Sequence, residues 1–359
     1  MGTDQATLHK TLVIRFSSVG DITLSSLFLR AFRTRFPQCD VDYVVKEEYA
    51  DLIRHDPNIT HVLEFPAGGT FADLHRLRRR ITAERYDLVV DLHDSLRSRY
   101  LCLGTTRVLR INKRKLARIL LVKFKWNVYK RTSGAPSVAE RYVEAVEKLG
   151  VVNDGKGLDL FLTPEVVEKA QAALRQEGIT PGTPLIGIAP SARHWNKMWL
   201  KERFAEVGAT LAHEHQAGVA LFGSGEEEEA RCNEIAAELH MRAPGRPIAN
   251  LAGKLTLLQT AAAMDSCAVV ITNDSGLMHL AAARKRKVVA IFGPTVRELG
   301  FFPYGTQSVV VEVSGLDCRP CTHIGLPSCP RGHFKCMRDI SAQQVVASAQ
   351  RMMATHTTP

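Results

Sequence analysis

The stretch Ala268-Val269-Val270-Ile271-Thr272-Asn273-Asp274-Ser275-Gly276-Leu277-Met278-His279-Leu280 runs from an apolar segment through a short polar turn into a second apolar segment. An apolar run of this length, bounded by a glycine-containing turn, predicts a parallel strand buried on both faces. The turn then opens a helix over 277–283. The first N–H groups of a helix have no partner within it, and the macrodipole adds partial positive charge there. A strand that feeds such a turn is a seat for a diphosphate. Asp274 reads either as an N-cap or as a ligand-facing carboxylate, and His279 as a core histidine or a second ligand contact.

The same rhythm extends in both directions. Strand-like runs at 12–16, 41–45, 62–65, 86–92 and 108–111 alternate with helical spacing at 21–35, 71–83 and 138–149. After Asp154 the pattern restarts with a short apolar run at 158–162 and a helix at 164–176. Strands at 185–189, 218–222, 268–272 and 288–292 then interleave with helices at 199–213, 226–240, 257–264 and 277–283, and a last helix covers 341–353. Two serial βα arrays with short loops predict an α/β protein of two Rossmann-like domains. A chain of 359 residues also exceeds one ordinary core. The expected division is an N-terminal domain over 1–160, a C-terminal domain over 161–340 and a helix with tail over 341–359, with the linker near 150–184. In such sheets ligands bind beyond the C-terminal strand ends, so the strand-to-helix turns are the places to search.

Composition narrows the class. Hydrophobic residues are 45% and charged residues 23%, as in a globular protein. Met1–Lys10 holds Asp4 and no long apolar stretch, so no signal peptide is expected there. No run approaches the ~20 apolar residues that span a bilayer, so the expected location is cytoplasmic. The net charge of +10 is uneven: residues 1–150 carry 26 Lys+Arg against 17 Asp+Glu. No acidic residue occurs between Asp94 and Glu140. Such a segment either is a solvated basic face or attracts phosphates of nucleic acid, an anionic membrane surface or a phosphorylated acceptor.

Three further turns could carry chemistry. Ser17-Ser18-Val19-Gly20-Asp21 joins the first strand to the first helix, and Asp21 is an N-cap, a general base or both. Pro190-Ser191-Ala192-Arg193-His194-Trp195-Asn196-Lys197 offers hydroxyl and backbone donors with one ammonium, suited to an anion. Gly223-Ser224-Gly225 leads into Glu226 to Glu229, where a carboxylate could accept from ribose hydroxyls and the others favour the helix start.

Together these turns resemble glycosyltransferase family 9, the ADP-heptose:lipopolysaccharide heptosyltransferases. The resemblance covers nearly the whole chain. It rests on Ser17-Ser18-Val19-Gly20-Asp21, Lys197-x-Trp199 with Glu202-Arg203-Phe204, Asn273-Asp274-Ser275-Gly276 with His279, and Phe292-Gly293-Pro294-Thr295. It implies a GT-B fold, two Rossmann-like domains facing across a cleft, and inverting transfer without a metal ion or cofactor. It implies that Asp21 is the base for an acceptor hydroxyl and that Lys197 neutralises the departing diphosphate. Ser275, Gly276 and His279 would hold the phosphates, Asp274 would sit beside them near the sugar, and Ser191 would belong to the same donor site. Glu227 would bind ribose and Leu255 would lie against adenine. The donor implied is ADP-heptose and the acceptor the inner core of lipopolysaccharide, with peripheral contact at an anionic inner-membrane surface. Arg76, Arg97 and Arg99 are acceptor candidates on charge alone. Ser137 stands where the family often has a histidine.

Eight cysteines complete the inventory, four of them as Cys318-x2-Cys321-x7-Cys329-x6-Cys336. They read either as reduced thiols or as a structural zinc site; neither bears on transfer. Rival readings are a GT-B enzyme using another nucleotide sugar and a basic nucleic-acid-binding protein with a zinc module. The second accounts for charge and cysteines but not for four polar turns, so nucleic acid is not an expected partner.

Overall fold

The computed structural model describes residues 8–131 and 134–354. Most of the Met1–Lys10 stretch, and the side chains of Lys130 and Arg131, lie outside the described residues. The chain divides into two compact units, one of 1–114 with 138–161 and one of 115–137 with 162–359.

The first unit holds strands β1 (Lys10–Ile14), β2 (Asp40–Lys46), β3 (His61–Phe65), β4 (Leu88–Asp91) and β5 (Val108–Arg110). Its helices are α1 (Val19–Arg35), α2 (Asp51–Arg54), α3 (Phe71–Ala83), α4 (Leu96–Leu101) and, following α5 in the chain, α6 (Val138–Glu144). Helix α5 (Lys115–Phe124) belongs to the second unit. The strands are all parallel in the order β3-β2-β1-β4-β5. Leu12, Ile14, Val44 and Val89 are fully buried, because helices cover both faces of a parallel sheet.

The second unit holds β6 (Leu185–Ala189), β7 (Gly218–Leu221), β8 (Ile248–Asn250), β9 (Cys267–Asn273), β10 (Val288–Phe292) and β11 (Ser308–Glu312). They run parallel in the order β11-β10-β9-β6-β7-β8. Its remaining helices are α7 (Pro164–Gln176), α8 (Lys201–Glu214), α9 (Glu226–Arg242), α10 (Leu257–Met264), α11 (Gly276–Ala283), α12 (Lys335–Arg338) and α13 (Ala342–Ala354). Local signals set several starts: Thr163 accepts from Val166 N–H ahead of Pro164, and Thr256 accepts from Gln259 N–H. Glycine is required at β6, where a Cβ on Gly187 would come within 2.9 Å of Cys267 Sγ.

Both units are Rossmann-like, as the alternation predicts, and the whole is the two-domain α/β fold of GT-B enzymes. The strand order reverses at β1/β4 in one sheet and at β6/β9 in the other, and the crevice at such a reversal is where open α/β sheets bind ligands. Leu158–Leu162 forms no strand, although Leu158 and Leu160 are buried. No described helix is long and apolar enough to cross a membrane.

Candidate active site

In the first unit, β1 delivers Arg15 and the turn after it delivers Ser18 and Asp21. Ser18 is the N-cap of α1, so Asp21 stands in the first turn of that helix. Its Oδ2 accepts from Ser18 Oγ at 3.1 Å. Its Oδ1 lies 2.7 Å from the Arg15 guanidinium and accepts from Tyr142 Oη at 3.3 Å. Arg15 is itself fixed by donating to Leu92 O at 2.7 Å. Burial opposes ionisation of Asp21, but Arg15 and the Ser18 hydrogen bonds outweigh it, so its pKa is lowered. Asp21 is therefore a fixed, ionised carboxylate at neutral pH with one helix-capping contact and two further partners.

The turn after β4 adds His93. Asp91, fully buried, accepts from the N–H groups of His93 and Asp94 at 3.0 and 2.8 Å and from Ser98 Oγ at 2.9 Å, which fixes the turn. The His93 ring packs edge-on to Phe16, with 5.5 Å between centroids. Burial, then Arg15 and Lys113, push its pKa down to about 3, so it is a neutral imidazole. Its Nδ1 is buried with no hydrogen-bond partner among the described residues.

In the second unit, the turns after β6 and β9 meet. Asn273, at the end of β9, accepts from Trp199 N–H at 3.1 Å and donates to Pro190 O at 2.7 Å. That one side chain ties the Pro190–Lys197 loop to the strand beside it. Arg231 on α9 donates to the same Pro190 O at 3.1 Å and to Trp199 O. With the loop held, Lys197 Nζ sits 2.7 Å from Asp274 Oδ2, which also accepts from Thr295 Oγ1 at 2.7 Å. Asp274 does not cap α11: Ser275 occupies the N-cap and its hydroxyl lies 3.3 Å from Thr272 Oγ1. Gly276 opens α11, and His279 is buried in its first turns beside Phe301. The result is a helix N-terminus flanked by an ammonium–carboxylate pair, an arrangement suited to an anion with an adjoining polar group.

A cavity of 1010 Å³ opens in the same unit between the 191–202 loop and the start of α9. Ser191 and Glu227 line it; Lys197, Leu255, Asp274, Ser275, Gly276 and His279 do not. Ser191 Oγ is buried without a hydrogen-bond partner among the described residues. Within the run of four glutamates, Glu228 Oε2 accepts from Ser224 N–H, and a Cβ on Gly253 would meet the Glu229 carboxyl at 2.3 Å. Glu226 and Glu227 remain exposed on the cavity wall. Leu255 is half-buried against the core under β7 and β9.

The three arginines are on the surface of the first unit. Arg76 on α3 is 3.4 Å from Asp73, Arg99 on α4 is 2.7 Å from Asp94, and Arg97 is exposed on α4. The two helices pack together through His75 Nδ1 and Tyr100 Oη, 2.7 Å apart. Among the described residues, no group of three or more His, Cys, Asp or Glu is arranged to hold a metal.

Arg15, His93, Tyr142 and the parts played by Thr295 and Asn273, which both stand in the motifs quoted above, were not read from the sequence. Arg15 carries a signal, as a lone charge inside the run Leu12-Val13-Ile14-Arg15-Phe16. His93 follows a strand end, the rule that found the other turns. Tyr142 acts on a partner 121 residues away and leaves no local trace, and Thr295, though inside a quoted motif, gives no sign of its partner 21 residues earlier.

Residues 74–328 match the family model described as glycosyltransferase family 9 (heptosyltransferase). The chain is 30% identical over 302 residues to lipopolysaccharide heptosyltransferase 2 of Salmonella typhimurium, covering 80% of this chain and 83% of that one. The fold is similar to that of the glycosyl transferase family 9 protein of Veillonella parvula, with a TM-score of 0.78, 23% identity and 98% of each chain covered. It is also similar to E. coli ADP-heptose lps heptosyltransferase II, with a TM-score of 0.72, 24% identity, and 96% and 98% covered.

Proposed function

The chain belongs to glycosyltransferase family 9 (heptosyltransferase), and from that premise we propose that it moves a heptose from ADP-heptose to the inner core of lipopolysaccharide with inversion. The observation that carries this reading is the α11 N-terminus beside the Lys197–Asp274 pair, held in place by Asn273. The names of the relatives agree with it: the Salmonella protein is a lipopolysaccharide heptosyltransferase, and a solved E. coli heptosyltransferase is described with ADP.

In this mechanism the donor diphosphate lies against the backbone N–H groups at Ser275 and Gly276, with His279 behind them. As the glycosidic bond breaks, negative charge builds on the leaving diphosphate. Fixed helix N–H donors and Lys197 stabilise it where it develops, which is worth more than uniform binding. Asp274 orients Lys197 and stands near the sugar. Ser191 and Glu227 contact the nucleotide through the cavity, Glu227 at the ribose, and Leu255 borders the adenine. Asp21 takes the proton of the acceptor hydroxyl as the new bond forms. Its lowered pKa keeps it ionised and ready, and Arg15 and Tyr142 fix its direction. The first unit binds the acceptor and the second the donor, with Arg76, Arg97 and Arg99 meeting the acceptor's anionic groups. The reaction is cytoplasmic. Peripheral contact with an anionic inner-membrane surface belongs to the same proposal, supported by the basic excess before residue 140.

A calorimetric series with ADP-, UDP- and GDP-sugars tests the donor. The reading expects ADP-heptose to bind best and to be consumed with an inner-core acceptor; preference for another nucleotide would overturn it.

A further inference from the structure

Helix α5 carries one broad apolar stripe. Ala117 and Leu121 turn one edge of it into a small core with Tyr129 and Leu299. Along the other edge Leu116, half-buried Leu120 and Phe124 follow at spacings of four; Leu116 is 77% and Phe124 57% exposed, Ile119 beside Leu116 is 44% exposed, and Trp126 just beyond the helix is 66% exposed. The Phe124 and Trp126 rings adjoin, with centroids 5.9 Å apart. Leu116, Ile119 and Lys123 follow one another at spacings of three and four and so share a face. Single exposed apolar residues are ordinary, but a contiguous group of large ones marks a surface that is covered in use.

Charge says what covers it. Lys115 and Lys123 are exposed on this helix, within a segment that has no Asp or Glu from 95 to 139. Apolar side chains set among cations match an anionic bilayer surface, where the former enter the acyl boundary and the latter sit among headgroups. Aromatic rings prefer that interface, which suits Trp126. Lys125 has a different part: its ammonium donates to the carbonyls of Val122, Cys318 and Pro320 and so fixes the chain that presents Trp126.

We propose that α5 with Trp126 is an interfacial helix that docks this protein on anionic phospholipid. The inference rests on the peripheral-contact part of the reading above and not on its chemistry.

The test is co-sedimentation of the full-length protein with phosphatidylethanolamine–phosphatidylglycerol vesicles, against phosphatidylcholine vesicles. Binding is expected to the first only, to weaken with salt, and to blue-shift Trp126 emission in a Trp195→Phe background, where Trp199 is already buried. Phe124→Ser/Trp126→Ser should lower partitioning by about tenfold or more. Leu116→Glu/Ile119→Glu is a second variant on the same face. Because these side chains are exposed, melting temperature and ADP binding should hold in both. Failure to bind phosphatidylglycerol vesicles, or equal binding by both variants, would overturn the proposal. So would a concentration-dependent dimer that the variants abolish, since the face would then belong to a second copy. Transfer to a soluble, lipid-free acceptor is measured separately, so docking and heptosyl transfer fail independently.

Discussion

Replacing Asn273 with Ala tests whether one buried amide holds the donor-side turns together. The side chain is fully buried, and its loss removes two hydrogen bonds of unequal weight. Pro190 O keeps a second donor in Arg231 Nε at 3.1 Å, so that loss costs about 0.5–1.5 kcal/mol, the net worth of one bond. Trp199 N–H loses its acceptor inside the core, and a buried unpaired donor costs about 1–3 kcal/mol. The total is about 2–4 kcal/mol, or roughly 5–15 °C in Tm for a unit of this size. Calorimetric melts with and without saturating ADP measure it, and ADP affinity should fall because the 190–197 loop is released from β9. Arg231→Met adds the sharper test. In Asn273→Ala/Arg231→Met the Pro190 carbonyl has lost both donors, so the pair should cost about 1 kcal/mol more than the sum of the single changes. Additivity within about 0.5 kcal/mol, or a single-variant cost below about 1 kcal/mol, would refute the stapling role.

Other expectations follow from the same geometry. Asp21→Asn should lower transfer by about 10²–10⁴-fold while leaving the Kd for ADP unchanged, measured by product formation and calorimetry. Lys197→Ala should lower kcat by about 10²–10³-fold and cost about 3 kcal/mol in a denaturation series, because Asp274 is left buried with only Thr295. Adding Asp274→Ala should recover part of that stability without recovering activity. His93 has a folded pKa near 3, below its unfolded value, so its contribution is present above about pH 6.5 and is lost as pH falls towards 3. Between about pH 6.5 and 5 that loss is about 2 kcal/mol, and His93→Gln should flatten this part of the stability profile.

What could be read from sequence was whatever is encoded locally. Buried parallel strands are short apolar runs, and β1, β2, β6, β9 and β10 are all visible as such. The polar turns were legible because glycine and small polar residues interrupt those runs. Strands β8 and β11 were missed: β8 is a three-residue Ile248-Ala249-Asn250, and three of the five β11 residues are only half-buried at the sheet edge. Leu158–Leu162 is apolar because it is packed, not because it is paired. Helix α5 was not read from the sequence, although its apolar residues do gather on one side; the basic residues of its segment were read as charge alone. In the site, identities were legible and partnerships were not. Asp274 reads as a cap from its position, yet its carboxylate is committed to Lys197, 77 residues earlier.

The chain passes between its two units three times, since 115–137 returns to the second before 138–161 completes the first. This interleaving has a consequence for synthesis and for engineering. As the polypeptide leaves the ribosome, α1 emerges long before α6, the helix that supplies Tyr142 to Asp21. The first unit therefore reaches its final form only after α5 has emerged, while the partners of α5 at Val296, Leu299 and Phe301 are still untranslated. For the same reason no single cut yields two intact halves: a break before Lys115 strips the first unit of α6, and a break after Phe161 strips the second of α5.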